Sequence, residues 1–427
     1  MRVLVIGGGA REHAIVARLA VERDVGELVC TPGNPGISRL ARTVPGEAAN
    51  PTALLALAER EDVDFTIVGP ELPLSFGVVD RFVEAGRPIF GPTAAAARLE
   101  SSKAFAKAFM ARHQVPTARF HTCESLAEGL RVIGSDEFGW PVVLKADGLA
   151  AGKGVVIAED RAAAEAAVNA AMSERRFGSA GERLVVEECL SGPEVSFFVV
   201  SDGTRVVPIG SAQDHKRIFD ADRGPNTGGM GAFAPSPLVD AGLGDQVMRE
   251  IVAPVIAGMA ADGCPFRGFL YVGLMLTAAG PQVIEFNVRL GDPEAQVILP
   301  LIDEPLLPVL VAAALGELSQ RSIRIGADRS VGVVLASRGY PESADAGRAI
   351  TGIESAEALP GVSVYHAGTA IRNKELVTAG GRVLTVVGRG TRFEEAMSRA
   401  YAGVNEISFD GMQYRTDIGR KALVHGA

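Results

Sequence analysis

Polar and apolar residues alternate in a short stretch between residues 283 and 289. This alternation is typical of a strand, and side chains two apart on a strand share a face. Glu285, Asn287 and Arg289 are therefore expected on one face. The other face would carry the apolar members of the stretch, namely Ile284, Phe286 and Val288. Carboxylate and amide oxygens suit a hard cation such as Mg²⁺, and an arginine suits a carboxylate or a phosphate. A half-exposed strand with a polar face is the simpler interpretation of this stretch alone.

The chain after this strand is predicted to turn at Gly291 and to enter a helix. Pro293 suits the first helical position, and Asp292 suits the capping position before it.

A glycine run, Gly7 to Gly9, lies between a buried-type strand and an apolar-periodic helix that is predicted to begin at Glu12. Backbone N–H groups at a helix N-terminus, with Arg11 beside them, suit a phosphate. The dinucleotide-binding fingerprint does not fit. It requires glycine at the position of Glu12 and an acidic residue at the end of the second strand, where a Pro-Gly pair stands. A phosphate loop and a simple tight turn both remain open.

A second glycine-rich loop, Gly148 to Gly154, joins two predicted strands, and Lys145 stands near the end of the first strand. The spacing of its glycines and the glycine in place of Ser or Thr exclude a P-loop. A hairpin of small residues that contains Gly152 and Lys153 can fold over phosphates, and Lys145 can contact a phosphate as a point charge. A plain flexible hairpin is the simpler interpretation.

Lys103 and Lys107 lie one turn apart on a helix that Ser101 and Ser102 are predicted to cap. Lysines on a helix are usually solvated, and that interpretation is the default for both.

Charges and glycines are dense between Gln213 and Gly231. A solvated loop does not need so many glycines beside alternating charge, so we predict a loop that contacts substrate. A strand from Leu184 to Glu188 runs into a linker that ends at Glu194. Such junctions often hold a purine through backbone groups, with a nearby carboxylate on the ribose, although this segment alone is weak support.

The composition is that of a globular protein, with 427 residues, 47% hydrophobic residues and a formal net charge of -9. The acidic balance argues against a chain built to coat nucleic acid. The four cysteines lie far apart, so neither a disulfide framework nor a zinc site is expected. We found no signal peptide and no apolar run of the roughly 18 residues that span a bilayer. We therefore expect a cytoplasmic protein with no membrane partner.

The length suggests about three domains. Strands alternate with helices over residues 1–100, which predicts an α/β unit with a doubly wound parallel sheet and ligands at the carboxyl ends of its strands. Residues 101–320 would form the central domain, in which the family resemblance described below implies a lid subdomain at about 120–190. A small α+β domain, with no catalytic constellation among its polar residues, would cover 321–427. The fold class is thus a multidomain combination of α/β and α+β units.

Several stretches, taken in order, resemble the ATP-grasp superfamily: Lys145 on its strand, the hairpin GLAAGKG, the linker EECLSGPE and the run IEFNVRLGDPE. Further stretches resemble the phosphoribosylamine–glycine ligase family, among them GGGAREHAI, SKAFAK, QDHKR and GPNTGGMGA. This resemblance covers residues 2 to about 419. It implies a two-subdomain ATP-grasp fold and ATP-dependent joining of glycine to 5-phosphoribosylamine through glycyl phosphate, with ADP and phosphate as the other products, in purine synthesis.

The resemblance also implies roles for individual residues. ATP as cosubstrate would be bound by Lys103, Lys145, Gly148, Gly152, Lys153, Gly154, Glu187, Cys189 and Glu194. Mg²⁺ or Mn²⁺ would be bound by Glu285 and Asn287. Glycine and the acyl phosphate would be oriented by Arg289, Asp214, Lys216, Asn226, Thr227, Gly228, Gly229 and Asp292, with Arg289, Asp214 and Lys145 counted as catalytic. The phosphoribosyl group would be held by Gly9, Arg11, Asn34 and Glu71.

Two departures from the family pattern stand out. Ala10 occupies a position where the family more often has glycine, so the first loop would approach its ligand less closely. The predicted strand from Phe269 to Thr277 carries no carboxylate, whereas many ATP-grasp enzymes take a metal ligand there. Glu285 and Asn287 would then be the main protein ligands.

Other functions remain open at this point. One is another ATP-grasp carboxylate–amine ligase or carboxylase of purine synthesis, and another is a non-catalytic nucleotide-binding protein on the same fold. The partners expected are small molecules only, without nucleic acid, for a monomer or a weak homo-oligomer.

Overall fold

The N-terminal unit is a parallel sheet with helices on both faces. We describe it from a computed structural model that covers residues 1–148, 154–176 and 178–425. Its elements are β1 (Arg2–Gly7), α1 (Ala10–Leu19), β2 (Glu27–Pro32), β3 (Arg42–Thr43), α2 (Pro51–Arg60), β4 (Phe65–Val68), α3 (Glu71–Ser75), α4 (Val78–Glu84), β5 (Ile89–Phe90) and α5 (Ala94–Ser101). The strand order is β3-β2-β1-β4-β5, and every pairing is parallel. The predicted doubly wound sheet is confirmed.

A small antiparallel sheet follows in the chain. Its elements are α6 (Lys103–Arg112), β6 (Phe120–Cys123), α7 (Leu126–Gly134), β7 (Val142–Ala146), β8 (Val155–Ala158), α8 (Arg161–Val168) and β9 (Leu184–Glu188). The strand order is β6-β9-β7-β8. Residues 149–153 of the β7–β8 connection, which include Gly152 and Lys153, lie outside the described residues.

The next segment supplies most of a large antiparallel sheet. Its elements are β10 (Glu194–Asp202), β11 (Val206–Asp214), β12 (Arg217–Phe219), β13 (Arg223–Asn226), β14 (Gly231–Ala234), α9 (Ala241–Val247), α10 (Ala253–Ala261), β15 (Arg267–Thr277), β16 (Gly280–Asn287), α11 (Glu294–Ile298) and α12 (Leu307–Leu315).

The C-terminal unit extends that sheet. Its elements are β17 (Arg329–Ala336), α13 (Ile353–Glu357), β18 (Val362–His366), β19 (Thr369–Arg372), β20 (Glu375–Thr378), β21 (Arg382–Gly390), α14 (Phe393–Glu406) and α15 (Arg420–His425). The strand order of the whole sheet is β16-β15-β10-β11-β14-β17-β21-β18. The C-terminal unit therefore joins this sheet through the β14–β17 pairing, whereas β16, which carries the candidate metal ligands, lies at the opposite edge. The domain boundary near residue 320 stays a prediction.

Alternate residues of β1 enter two hydrophobic cores. Val3 and Val5 pack with α11 and α12, whereas Leu4 and Ile6 pack with α2, α4 and α10. All four side chains are fully buried. A strand buried on both faces is expected in a parallel sheet covered by helices. These two cores fix the parallel sheet against the large sheet.

Several local predictions differ from the structure. The apolar pattern predicts a helix over about residues 76–85, and the structure has α4 (Val78–Glu84) there. A separate short helix, α3, precedes it, and Gly77 between the two has φ +79°. The sequence predicts one long helix over about residues 246–260 with a bend at Pro254. In the structure the helical stretch starts earlier, with α9 at Ala241, and contains a π-helical turn, Met248–Val252, just before Pro254. The predicted cap at Asp292 is wrong, because α11 begins at Glu294 and its N-cap is Pro293, which has no side-chain hydrogen bond.

No helix among the described residues is both long enough and apolar enough to cross a membrane.

Candidate active site

Glu285 and Asn287 occupy the edge strand β16 and lie opposite Gly273 and Tyr271 of β15. The pairing shifts register next to Gly273, so Ile284 has no partner residue and is half-buried rather than buried. Glu285 is exposed and Asn287 is half-buried. The remaining apolar side chains of this stretch are buried as predicted, with exposures of 3% for Phe286 and 2% for Val288. The bulge turns both oxygen-bearing side chains away from the core.

Two lysines of neighbouring elements lie in this region, and one of them contacts β16. Lys145 of β7 donates from Nζ to the Ile284 carbonyl at 2.9 Å and lies 3.0 Å from Glu187 Oε1. Lys103 of α6 donates to the Gly148 carbonyl at 2.9 Å. Lys145 therefore contacts β16, and Lys103 contacts the start of the glycine-rich connection. ATP phosphates are expected between the two.

Lys107 is not solvated as assumed from the sequence. It is 2% exposed, and its Nζ lies 2.9 Å from Glu187 Oε2 and donates to Thr117 Oγ1. Burial lowers the pKa of Lys107 to about 8 against the opposing pull of Glu187. Glu187, also buried, thus holds two ammonium groups. Nothing in the helical spacing could show this, because the partner comes from β9.

The residues beyond β9 meet the polar loop. Cys189 follows β9 directly, and Glu194 begins β10. Glu194 Oε2 lies 2.9 Å from Lys216 Nζ, which is 3.7 Å from Asp214 Oδ1. Burial would lower the pKa of Lys216, yet the charges of Asp214 and Glu194 help to raise it well above its usual value. The ammonium is therefore retained between two carboxylates.

Arg289 follows β16 and pairs with two carboxylates. Its Nε lies 3.1 Å from Glu71 Oε2, and its Nη2 lies 2.9 Å from Glu100 Oε1. Glu100 also accepts from the Val288 N–H at 2.8 Å. Burial raises the pKa of Glu100, although Arg289 opposes the shift. Arg289 thus connects the segment after β16 to α3 and α5 of the N-terminal unit.

The glycine run is only partly available for a ligand. Glu12 Oε2 accepts from the Gly9 N–H at 2.7 Å, so the expectation that this N–H is free is wrong. Arg11 is buried, pairs with Glu12 and donates to the Leu290 carbonyl at 3.2 Å. A Cβ at Gly7 would lie 2.3 Å from Glu12 Cγ, so the packed Glu12 side chain requires glycine at position 7.

Asn34 joins the first loop to the C-terminal unit. Its Nδ2 donates to the carbonyls of Gly8 at 3.0 Å and His366 at 2.8 Å, and its Oδ1 accepts from the Ile37 N–H. If the Asn34 amide were to donate to the phosphoribosyl group, one of its two donated bonds would have to be released. Glu71 begins α3 rather than lying in a turn, so its N–H belongs to a helix N-terminus.

Asp292 and the loop around Gly228 are held by a residue that the sequence did not indicate. Arg382 donates from Nη1 to the carbonyls of Gly228 and Asp292, both at 2.6 Å, and its Nη2 lies 3.2 Å from Asp292 Oδ2. Tyr340 Oη accepts from the Gly228 N–H at 2.8 Å. Arg382 is 154 positions from Gly228 and 90 from Asp292, and no spacing signal could have joined them.

The rest of this loop folds back on itself. Thr227 donates from both N and Oγ1 to the Lys216 carbonyl at 2.7 and 2.8 Å, and the Gly229 N–H donates to Thr227 Oγ1. Asn226 pairs with Arg217 in the β12–β13 hairpin. The loop thus places Lys216 beside the turn that contains Gly228 and Gly229.

Glu294 is a further buried carboxylate that sequence reasoning did not single out. It is 4% exposed and accepts from Ser196 Oγ at 3.3 Å. Burial raises its pKa to about 7, with a contribution from the charge of Asp214.

Three family models match consecutive parts of this chain. They describe phosphoribosylglycinamide synthetase: its N domain over residues 1–100, its ATP-grasp (A) domain over residues 101–295 and its C domain over residues 330–421. The chain belongs to the phosphoribosylglycinamide synthetase family.

Members of this family are similar in sequence to this chain over nearly its whole length. Phosphoribosylamine–glycine ligase of Xylella fastidiosa (strain Temecula1 / ATCC 700964) is 48% identical over 99% of this chain and 99% of its own. The ligase of Ralstonia nicotianae is 48% identical over 99% of this chain and 100% of its own. The crystal structure of phosphoribosylamine–glycine ligase from Thermotoga maritima is 35% identical, covers 98% of this chain and 100% of its own, and superposes with a TM-score of 0.84. The resemblance stated from the motifs, and the ATP-grasp fold it implied, are confirmed.

Proposed function

We propose that this synthetase-family chain joins glycine to 5-phosphoribosylamine with cleavage of ATP to ADP and phosphate. Its product would be glycinamide ribonucleotide, and it would act as a ligase of purine synthesis. The observation that carries the proposal is the Arg289–Glu71 contact, because it brings the end of the metal-ligand strand against the N-terminal loops. A transfer between an activated glycine and a phosphoribosyl amine needs those two regions to adjoin.

ATP would lie between Lys103, Lys145 and β16. The two ammonium groups would offset phosphate charge, and the segment Gly148 to Gly154 would cover the phosphates. Glu187 and Cys189 would meet adenine through backbone groups, and Glu194 would meet the ribose. Lys145 and Glu194 now pair with protein carboxylate and ammonium groups respectively, so ATP would replace or share those contacts.

Mg²⁺ fits the donors of β16. Glu285 and Asn287 offer a carboxylate and an amide oxygen on one strand, with Gly273 and Tyr271 opposite rather than a further carboxylate. Mg²⁺ prefers few protein oxygens together with phosphate oxygens. The bound ion would offset charge on the transferring phosphoryl group. Mn²⁺ would accept the same donors.

Glycine would be activated next to Arg289, Asp214 and Lys216. A glycine carboxylate oxygen attacks the γ-phosphorus, the bond to ADP breaks, and glycyl phosphate forms. The amine of 5-phosphoribosylamine then attacks the acyl carbon, phosphate leaves, and the amine loses a proton. Water would hydrolyse the acyl phosphate, so the reaction requires a closed site that excludes water as well as the side chains that bind the substrates.

The phosphoribosyl group would lie near Gly9, Arg11, Asn34 and Glu71, and the loop from Asn226 to Gly229, with Asp292, would close on the glycine side. Arg11 and Glu71 support this placement because both contact the segment that follows β16. Small molecules would be the partners of this chain, and the cytoplasm its location.

The test measures ADP release with glycine, with bicarbonate, and with each in the presence of 5-phosphoribosylamine. We expect release that requires both glycine and 5-phosphoribosylamine. Turnover with bicarbonate and none with glycine would favour a carboxylase, and ATP binding without any turnover would favour a non-catalytic nucleotide-binding protein.

The metal assignment has its own test. Glu285→Ala should abolish turnover and leave the unfolding midpoint unchanged, because its side chain is exposed. Gln282→Ala, on the same strand, is the matched control and should retain activity. Full activity of Glu285→Ala would remove Glu285 from the metal site.

A further inference from the structure

Arg415, close to the C-terminus, is the largest fully buried side chain among the described residues. Its Nε and Nη2 donate to the two carboxylate oxygens of Asp417 at 2.8 and 2.7 Å. Its Nη1 donates to the Arg217 carbonyl at 3.0 Å and to Asp222 Oδ1 at 2.9 Å. A buried guanidinium with paired donors fixes its partners in one geometry. Arg415 therefore fastens residues 415–417 to β12 and to the turn of the β12–β13 hairpin.

The hairpin turn it holds is strained. Ala221 and Asp222 have φ values of +57° and +52°, a conformation that non-glycine residues rarely adopt. Strained backbone persists only where surrounding contacts over-determine it. Those contacts come from the same C-terminal segment. Asp417 Oδ2 accepts from the Ala221 N–H at 2.9 Å, and Lys421 Nζ lies 2.7 Å from Asp222 Oδ2.

Thr416 adds a further point of attachment. Its N–H donates to Asp220 Oδ1 at 2.8 Å, and its hydroxyl donates to Asp220 Oδ2. The charges of Asp220 and Asp222, which suggested a substrate-contacting loop, thus hold the C-terminal segment, and Arg217 adds its backbone carbonyl. The residues left for ligands are those on either side of the hairpin.

The hairpin lies directly between the two parts of the loop assigned to glycine. Lys216 precedes it and pairs with Asp214 and Glu194. Thr227 follows it and bonds back to the Lys216 carbonyl through N and Oγ1. A shift of the hairpin would move Lys216 and the Thr227–Gly229 turn together.

We propose that residues 415–421 act as a positioning clasp, which holds the β12–β13 hairpin so that Lys216 and the Thr227–Gly229 turn face glycine. Arg415 touches no substrate and acts through the Arg217 carbonyl and Asp222. That the ligand is glycine rests on the proposed function. That residues 415–421 hold the β12–β13 hairpin in place does not depend on it.

The test compares Arg415→Met, Arg415→Lys and Thr416→Ala with wild type. Arg399→Met is the matched control, because Arg399 lies in the same unit and pairs with Glu395 of its own helix. Hydrogen exchange is measured over residues 217–228, and KM is measured for glycine and for ATP.

We expect Arg415→Met to lose exchange protection over residues 217–228 and to raise the KM for glycine about 10- to 100-fold, with the KM for ATP within about twofold. Arg415→Lys should recover part of the loss, because it keeps the charge but not the fork of donors. Thr416→Ala, with an exposed side chain, should fold normally and change the same quantities less, and Arg399→Met should change neither.

Unchanged exchange over 217–228 in both Arg415→Lys and Thr416→Ala would overturn the clasp. An equal rise in the KM values for ATP and glycine would also overturn it, because that pattern reports general loosening. Absence of glycine-dependent ADP release in wild type would instead contradict the proposed function, and the exchange data would still decide on the clasp.

Discussion

Glu71 and Arg289 are 218 positions apart and form an ion pair of 3.1 Å. The pair joins the first residue of α3 to the segment after β16. The guanidinium also contacts Glu100, whose side chain is only 7% exposed. Arg289 is therefore both a candidate ligand for the glycine carboxylate and the neutralising partner of a buried acid.

These two roles of Arg289 can be separated. Arg289→Met leaves Glu100 buried and unpaired, and we expect a loss of about 3–5 kcal/mol in the free energy of unfolding, measured by denaturant titration. The double variant Arg289→Met/Glu100→Gln should recover most of that stability and still lack activity. If the double variant recovered both stability and activity, Arg289 would have a role in stability only and none in glycine binding.

Lys107 is expected to matter to ATP although it is absent from the proposed ligands. Lys107→Met removes one of two ammonium groups on Glu187, and the free energy of unfolding should fall by about 1.5–3 kcal/mol. Lys145 would then remain with Glu187, so the KM for ATP should rise. Lys374→Met, at an exposed lysine, is the control. An unchanged KM for ATP would limit Lys107 to stability.

Gly229 cannot accept a side chain. Its φ is +111°, and an added Cβ would lie 2.5 Å from Pro293 Cδ. Gly229→Ala should lower the free energy of unfolding by about 1–3 kcal/mol and raise the KM for glycine. Gly244→Ala is the matched control, since no atom lies within 4 Å of its added Cβ. Equal effects of the two substitutions would contradict the assignment of this turn.

Glu294 should make stability depend on pH. Its pKa is raised from 4.5 to about 7 by burial and by Asp214, so the folded state binds a proton that the unfolded state has lost. The resulting stabilisation is complete below about pH 4.5 and disappears as the pH rises through about 7. The unfolding free energy of wild type should therefore decline relative to Glu294→Gln across that window. Parallel pH curves would show that Glu294 does not titrate there.

The sequence predicted what short-range patterns determine. Alternating helices and strands indicated the parallel N-terminal sheet, and the polar alternation placed Glu285 and Asn287 on one face. The sequence could not predict whether a charged side chain is buried in an ion pair when its partner is far away along the chain. Lys107 was assigned to solvent because its partner Glu187 lies on another element. Asp292 was assigned to a helix cap because it precedes Pro293 in the sequence. Its actual ion-pair partner, Arg382, comes from the C-terminal unit and could not be predicted from nearby residues.

The continuous sheet of the central and C-terminal units has a consequence for the integrity of the chain. β17 covers the hydrogen-bonding edge of β14, and β14 pairs with the strand that ends at Asp214. A chain cut before β17 would present that edge to solvent, and an unprotected edge strand is a template for aggregation. The C-terminal unit thus serves as edge protection for the sheet of the candidate site.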